Sequence, residues 1–390
     1  GIVGPALGAA VLRNAETIVN ADGTTSFLPN RNIYMAAFGA AAVLLFVLGL
    51  IFRMMRRGHN QLVSESAELL FGSLQGEETV KGRCECSEDP KVWQDYPRPQ
   101  MRRQGYMSLN GIWMLNGGKI LVPFPPQSYL SGYKGSVGSR LEYQRTFPLT
   151  ADNVGKRVLL HFGAVDQVAE VFVNGSFVGK HEGGYLPFSF DITVFVHEGE
   201  NLLKVRAKDT LSARYPYGKQ RKNRGGMWYT PVSGIWQSVW LEQVPASHLE
   251  ALWFETDYDA RRVTAHISAA AGEGLLPLCL SAFCGEKEIA RQSISLDASR
   301  PANTPSSLSA SLSFLIPEEF FHSWSPEDPF LYQVTLSFGE DRVQSYFAMR
   351  LYTVESPEGT PVFCLNHKPY FLMGVLDQGY WPDGLYTAPS

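Results

Sequence analysis

The chain has 390 residues, room for two or three domains at roughly 150 residues each, and its 45% apolar and 12% aromatic content against 18% charge excludes wholesale disorder. Its 34 basic and 38 acidic residues leave a net charge of −4, so no global field draws it to phosphate backbones and nucleic acid is not an expected partner. Five cysteines, at 84, 86, 279, 284 and 364, give neither an even disulfide set nor zinc-site spacing; a reducing compartment fits best, with no metal and no cofactor expected.

The N-terminal stretch is apolar. Ile33–Phe52 runs for 20 residues without charge or proline, which as a helix spans about 30 Å, the thickness of a bilayer's hydrocarbon core. It is expected to be a transmembrane helix. Gly1–Leu12 reads as a partial preceding span, with Asn20–Asn32 as the polar loop between the two. Arg53, Arg56 and Arg57 after the run outnumber Arg13 and Arg31 before it, so the charge bias places a membrane-anchored protein with its following domains on the cytoplasmic side. Residues 1–57 are similar to the last two helices of a major facilitator transporter. A start at Gly1 without methionine, and a stop at Ser390 just after an aromatic, glycine-rich run, read as the ends of a fragment. Residues 58–92 are polar, lack periodicity and read as a linker.

Beyond Trp93, short runs of β-branched and aromatic residues recur at intervals of roughly ten residues between Gly, Pro, Asn and Asp, the pattern of a β-sandwich. Strands are predicted over Arg157–Phe162, Ala169–Val173, Leu202–Ala207 and Trp236–Leu241. Asn174-Gly175 between Val173 and Phe177 predicts a tight hairpin, because both residues tolerate positive φ. A second β-rich block over 246–353, about 100 residues long, suits an immunoglobulin-like sandwich. Its strands are predicted at Ala251–Thr256, Val263–Ser268, Leu276–Ala282, Leu331–Phe338 and Gln344–Tyr352, with a long loop over Leu296–Ser313. Val362–Leu365, a turn at Asn366–Pro369 and Tyr370–Gly374 form a further hairpin.

Tyr96-Pro97-Arg98-Pro99-Gln100, Leu109-Asn110-Gly111-Ile112-Trp113, Val122-Pro123-Phe124-Pro125 and Tyr143-Gln144-Arg145-Thr146-Phe147 open a series of motifs. It continues through His161–Asp166, Val173-Asn174-Gly175 and His181–Asp191, and closes with Trp228-Tyr229 and Ser233-Gly234-Ile235-Trp236-Gln237. In this order and spacing the chain from about 95 to 381 resembles glycoside hydrolase family 2, the β-galactosidases and β-glucuronidases. The resemblance implies a mainly β chain with a jelly-roll sugar-binding domain at 93–245, an immunoglobulin-like domain at 246–353 and, over 354–390, the opening hairpin and strand of a truncated (β/α)8 barrel. Read physically, most motif residues are scaffold. Gly183-Gly184 supplies a tight turn, Tyr185 and Phe188 anchor the core, and Asp191 caps the following turn. Adjacent strand residues His181 and Glu182 face opposite sides and make no acid–base pair.

The resemblance also implies hydrolysis of O-glycosidic bonds by two carboxylates about 5 to 5.5 Å apart on the barrel. The family's acid/base carboxylate follows an asparagine, and the chain contains no Asn-Glu dipeptide. No catalytic residue is therefore assigned, both carboxylates are expected beyond Ser390, and the chain by itself is expected to be inactive. At the pocket's border the family pattern points to Asp377, Gln378, Tyr380 and Trp381 as substrate-binding residues for a β-glycoside, aromatics stacking on the sugar and polar groups holding hydroxyls. The family's jelly-roll aspartate has no counterpart, since Gly225-Gly226-Met227 stands there. Lys219, Arg221, Lys222 and Arg224, among Tyr215, Tyr217 and Trp228, read as a solvated basic loop. Two rival readings are a carbohydrate-binding module without catalysis and a transporter fused to a sugar-sensing domain.

Overall fold

The computed structural model describes residues 92–390 apart from 224, 271–273 and 298–306, and before them only the backbone of two short strands. Those strands, β1 (Glu16–Val19) and β2 (Thr25–Leu28), pair antiparallel with Glu16 opposite Leu28. Part of the stretch read as a polar loop is thus a strand. The apolar runs at 1–12 and 33–52, the linker up to residue 91, Cys84 and Cys86 lie outside the described residues. Among the described residues no helix is long and apolar enough to cross a membrane, so the expected anchor finds no support in the structure.

The first sandwich contains β3 (Tyr106–Ser108), β4 (Gly111–Leu115), β5 (Gly118–Val122), β6 (Arg140–Leu149), β7 (Arg157–Phe162), β8 (Val165–Asp166) and β9 (Val168–Val173). It is completed by β10 (Ser176–Glu182), β11 (Phe188–Asp191), β12 (Gly199–Lys208), β13 (Gly234–Ile235) and β14 (Val239–Val244). A six-stranded sheet in the order β10-β9-β12-β6-β4-β5 and a four-stranded sheet in the order β11-β7-β14-β3 supply its core, while β8 and β13 form a separate two-stranded ribbon. Alternation sets the packing: Leu203, Val205 and Ala207 of β12 point inward while Arg206 and Lys208 meet water. Trp113, Tyr143, Phe147 and Phe162 are the largest side chains of this core. The predicted hairpin is present, with Asn174 at φ 50° and Gly175 at φ 83°, and Val173 faces Ser176 across it. Strand β14 starts three residues later than the sequence suggested, because Trp236 leaves the sheet to line a cleft.

The second sandwich contains β15 (Leu249–Asp257), β16 (Arg262–Ala270), β17 (Leu275–Cys284), β18 (Lys287–Asp297), β19 (Ser307–Leu315), β20 (Tyr332–Phe338) and β21 (Asp341–Phe347). Its sheets run β15-β16-β19 and β18-β17-β20-β21, around Leu278, Leu280, Phe314, Tyr332 and Phe338. The loop expected over Leu296–Ser313 is corrected: β19 occupies its second half, with Leu308, Leu312 and Phe314 inward and Ser309, Ser311 and Ser313 outward. Small serines on the wet face masked the period of two.

A small sheet follows, β22 (Tyr352–Glu355), β23 (Val362–Leu365) and β24 (Lys368–Pro369), in that order. The strand predicted over Gln344–Tyr352 therefore divides between two sheets. Residues 370–379 belong to no strand, and Phe371, Met373, Val375 and Leu376 are 84%, 89%, 94% and 87% exposed. The expected barrel strand is not formed: a strand apolar on both faces needs neighbours on both edges, and among the described residues none pairs with it.

Buried charges join the two sandwiches. Arg103 donates from Nη1 to Glu242 Oε2 of β14 at 2.8 Å, and binds Asp341 of β21 through Nε and Nη2. Asp341 also accepts the Leu249 N–H at 2.9 Å, and Arg98 Nη2 reaches both Glu242 oxygens at 2.9 and 3.0 Å. Each carboxylate is surrounded by donors, the condition under which buried charge is tolerated.

Candidate functional site

After the exposed run, the chain returns to the first sandwich. Trp381 and Leu385 exchange backbone hydrogen bonds of 2.7 and 3.1 Å, and the Asp383 carbonyl accepts from Leu130 N–H at 3.2 Å. The Ala388 carbonyl accepts from Trp93 Nε1 at 3.1 Å, and Thr387 Oγ1 lies 2.5 Å from the Trp236 carbonyl. This strap borders a cleft of about 720 Å³.

Aromatic rings meet where strap and sandwich touch. Tyr386 packs against Trp236 and Tyr185 with ring centroids 5.1 and 5.9 Å apart. Tyr380 stacks on Tyr229 at 4.4 Å and meets Tyr386 edge-on at 4.9 Å. Gln220, fully buried, fixes the cluster: its Nε2 donates to the Tyr386 hydroxyl at 2.7 Å while its Oε1 accepts the Val232 N–H at 2.6 Å. Trp236 is oriented by its Nε1, which donates to the Gly184 carbonyl at 2.7 Å.

Asp166 lies close behind Gly184, where a Cβ would come within 2.6 Å of its Oδ1, so only glycine permits this approach. Burial, reinforced by the charge of Asp209, pushes the Asp166 carboxyl up to about 7. The hydroxyls of Tyr185, Tyr380 and Tyr386 are pushed up chiefly by burial, with the Asp166 charge adding to it, so all three remain neutral donors. At the other wall His161 stacks on Trp240 at 4.9 Å, and burial lowers its pKa to about 4, leaving a neutral ring. The cleft thus offers flat apolar faces and the neutral hydroxyls of Tyr185 and Tyr386, groups suited to a polyhydroxylated ring, while the Asp166 carboxyl stays buried behind Gly184.

Of the four residues assigned from sequence, Tyr380 and Trp381 come to this cluster and its cleft, whereas Asp377 and Gln378 stand on an exposed turn. Asp377 Oδ1 accepts the Gly379 N–H at 2.7 Å, and Gln378 Oε1 accepts from Lys219 Nζ at 3.3 Å. Tyr185, read as a core anchor, instead lines the cleft and is 37% exposed. In the basic loop Arg221 lies 3.8 Å over the Trp228 ring. Tyr386 and Gln220 were missed because each acts through contacts more than 150 residues away in sequence. Asp166 was visible in its motif, but nothing local signals its burial.

Residues 132–245 match the glycosyl hydrolases family 2 sugar binding domain. The chain is 36% identical over 117 residues to a β-galactosidase of Thermoanaerobacter pseudethanolicus, covering 30% of this chain and 15% of that protein. It is 28% identical over 265 residues to a β-glucuronidase of Bacteroides fragilis, covering 62% and 35%. The Bacteroides uniformis β-glucuronidase shares its fold at a TM-score of 0.56 and 22% identity, over 74% of this chain and 37% of that one. The chain thus spans from 15% to little more than a third of the length of these relatives. Residues 132–245 are thus similar to the family 2 sugar binding domain, and the described chain shares its fold with these enzymes.

Proposed function

We propose that residues 93–390 are the sugar-facing, non-catalytic part of a β-glycosidase that hydrolyses β-galactosides or β-glucuronides, with a jelly roll at 93–245 and an immunoglobulin-like domain at 246–353. The observation that carries this reading is the convergence of Trp236, Tyr185, Tyr386 and Tyr380 beside the cleft of a domain that matches the family's sugar-binding domain. Trp381 and Tyr380 stack on the sugar, and Asp377 and Gln378 hold hydroxyls from the adjoining turn. The two carboxylates of a retaining mechanism come from outside these residues.

Two measurements on the purified 390-residue chain test this reading. Chromogenic β-glucuronide, β-galactoside and β-mannoside should not be turned over; turnover that survives repurification overturns the separation from the catalytic carboxylates. Saturation-transfer NMR with phenyl β-glucuronide and phenyl β-galactoside should show contact with at least one sugar, lost in Trp236→Ala. Absence of transfer from both, or transfer unchanged in that variant, overturns the sugar-facing cleft.

A further inference from the structure

A second concavity, of about 1320 Å³, lies between the two sandwiches, walled by the segment 94–106, the start of β7 and strand β21. Its chemistry differs from the aromatic cleft. Arg102, Lys156, Arg157 and Arg342 line it together with the amides of Gln94, Gln104, Gln243 and Gln344. All four cations are solvent-exposed. Arg102 bridges Gln344 through paired backbone hydrogen bonds of 2.9 Å, which sets it diagonally across from Arg342, two residues along β21. Arg342 donates to the Gly339 and Asp341 carbonyls, and Arg157 stands 3.6 Å from Asp191. Among the described residues no carboxylate is in ion-pair contact with Arg102, Lys156 or Arg342.

Asp95 and Glu340 also border the groove, while Arg103 and Asp341 neutralise one another at its floor. With Arg157 beside Asp191, the three remaining cations, Arg102, Lys156 and Arg342, face the two free carboxylates and leave a slight positive excess. Double-stranded DNA, with one charge per about 1.7 Å, would crowd Asp95 and Glu340. A chain bearing one carboxylate per sugar spreads its charge more thinly, and its hydroxyls match the amides, which both donate and accept.

We propose that this groove binds an acidic oligosaccharide, a run of uronic acid units, with Arg102, Lys156 and Arg342 holding carboxylates and the glutamines holding hydroxyls. The groove meets the aromatic cleft at Asp95 and Tyr96, which line both, but Arg102, Lys156 and Arg342 line the groove alone, so its binding of an acidic chain is tested separately from the cleft. In an intact enzyme it would retain a polymeric uronide while another part of the chain is cut.

The test uses the whole 390-residue chain and hexagalacturonate in isothermal titration calorimetry, with maltohexaose as the neutral control. The acidic chain should bind and the neutral one should not. Each of Arg102→Gln, Lys156→Gln and Arg342→Gln should weaken binding about threefold, and together about thirtyfold, as expected for separate exposed charges. Unchanged circular dichroism and melting show that the variants are folded. Trp236→Ala should leave hexagalacturonate binding intact, which separates a failure of this site from a failure of the cleft. Equal affinity for maltohexaose, no response to the triple variant, or loss of binding in Trp236→Ala would overturn the proposal. Tighter binding of a short DNA duplex, lost in the triple variant, would replace the uronide by nucleic acid.

Discussion

Arg103 grips Asp341 with two parallel hydrogen bonds, Nε to Oδ1 at 3.1 Å and Nη2 to Oδ2 at 2.9 Å. Both side chains are buried; Arg103 lies in the segment before β3, and Asp341 opens β21 of the second sandwich. Removing Asp341 leaves the buried Arg103 with Glu242 as its one remaining carboxylate and takes the acceptor from the Leu249 N–H. Asp341→Ala should therefore destabilise the protein by about 3 to 5 kcal/mol, measured by urea unfolding. Replacing both, Arg103→Met with Asp341→Leu, should recover part of that loss, because the uncompensated charge disappears.

Acid should weaken the same junction in two stages. Burial lowers His161 from 6.5 to about 4, so its contribution is present above pH 6.5 and is lost as pH falls toward 4. Burial alone would raise Glu242, but the charges around it, Arg98 first and then His161 and Arg103, hold it at about 2 against 4.5. Its contribution is present above pH 4.5 and is lost as pH falls toward 2. Urea midpoints measured from pH 7 to pH 2.5 should decline through both windows, and His161→Gln should flatten chiefly the upper one, since the His161 charge also helps to lower Glu242.

Asp166 has the opposite sign. Its carboxyl is raised from 3.8 to about 7, so the folded state loses stability as pH rises between those values. Asp166→Asn should be close to neutral at pH 4 and stabilising at pH 8, by roughly 2 to 4 kcal/mol. Thermal melts at the two pH values read the difference directly. A variant equally stable or destabilised at both would refute the buried charge as the cause.

Gly184→Ala should cost about 1 to 3 kcal/mol, since the new Cβ would lie 2.6 Å from Asp166 Oδ1 and 2.9 Å from its Cγ. Combined with Asp166→Ala the cost should shrink, and a double-mutant cycle measures that coupling.

Elements whose own residues alternate were legible. Strands β9, β12 and β16 announced themselves through inward Val, Leu, Ile and Ala alternating with polar or charged residues such as Glu170, Arg206 and Thr264, and Asn174-Gly175 announced its turn. Strand β19 was hidden because serine carries little contrast with its flanking loop. The run Phe371–Leu376 misled for the reverse reason: its composition is that of a strand, but pairing needs a neighbour that local sequence does not specify. The family pattern pointed to Tyr380 and Trp381, and the structure brings the first to the aromatic cluster and the second to the cleft. Tyr386, Gln220 and the burial of Asp166 depend on the strap folding back, a long-range event without local signature.

The Trp93 indole and the Ala388 carbonyl are 295 positions apart in sequence and 3.1 Å apart in space. Mechanically, this contact is a clasp. A pull applied between residues 92 and 389 is borne first by the clasp and the strap bonds at Leu130 and Trp236, and reaches either β core only once those have torn. Tension on the two ends would therefore strip the aromatic wall of the cleft while both sandwiches remained intact.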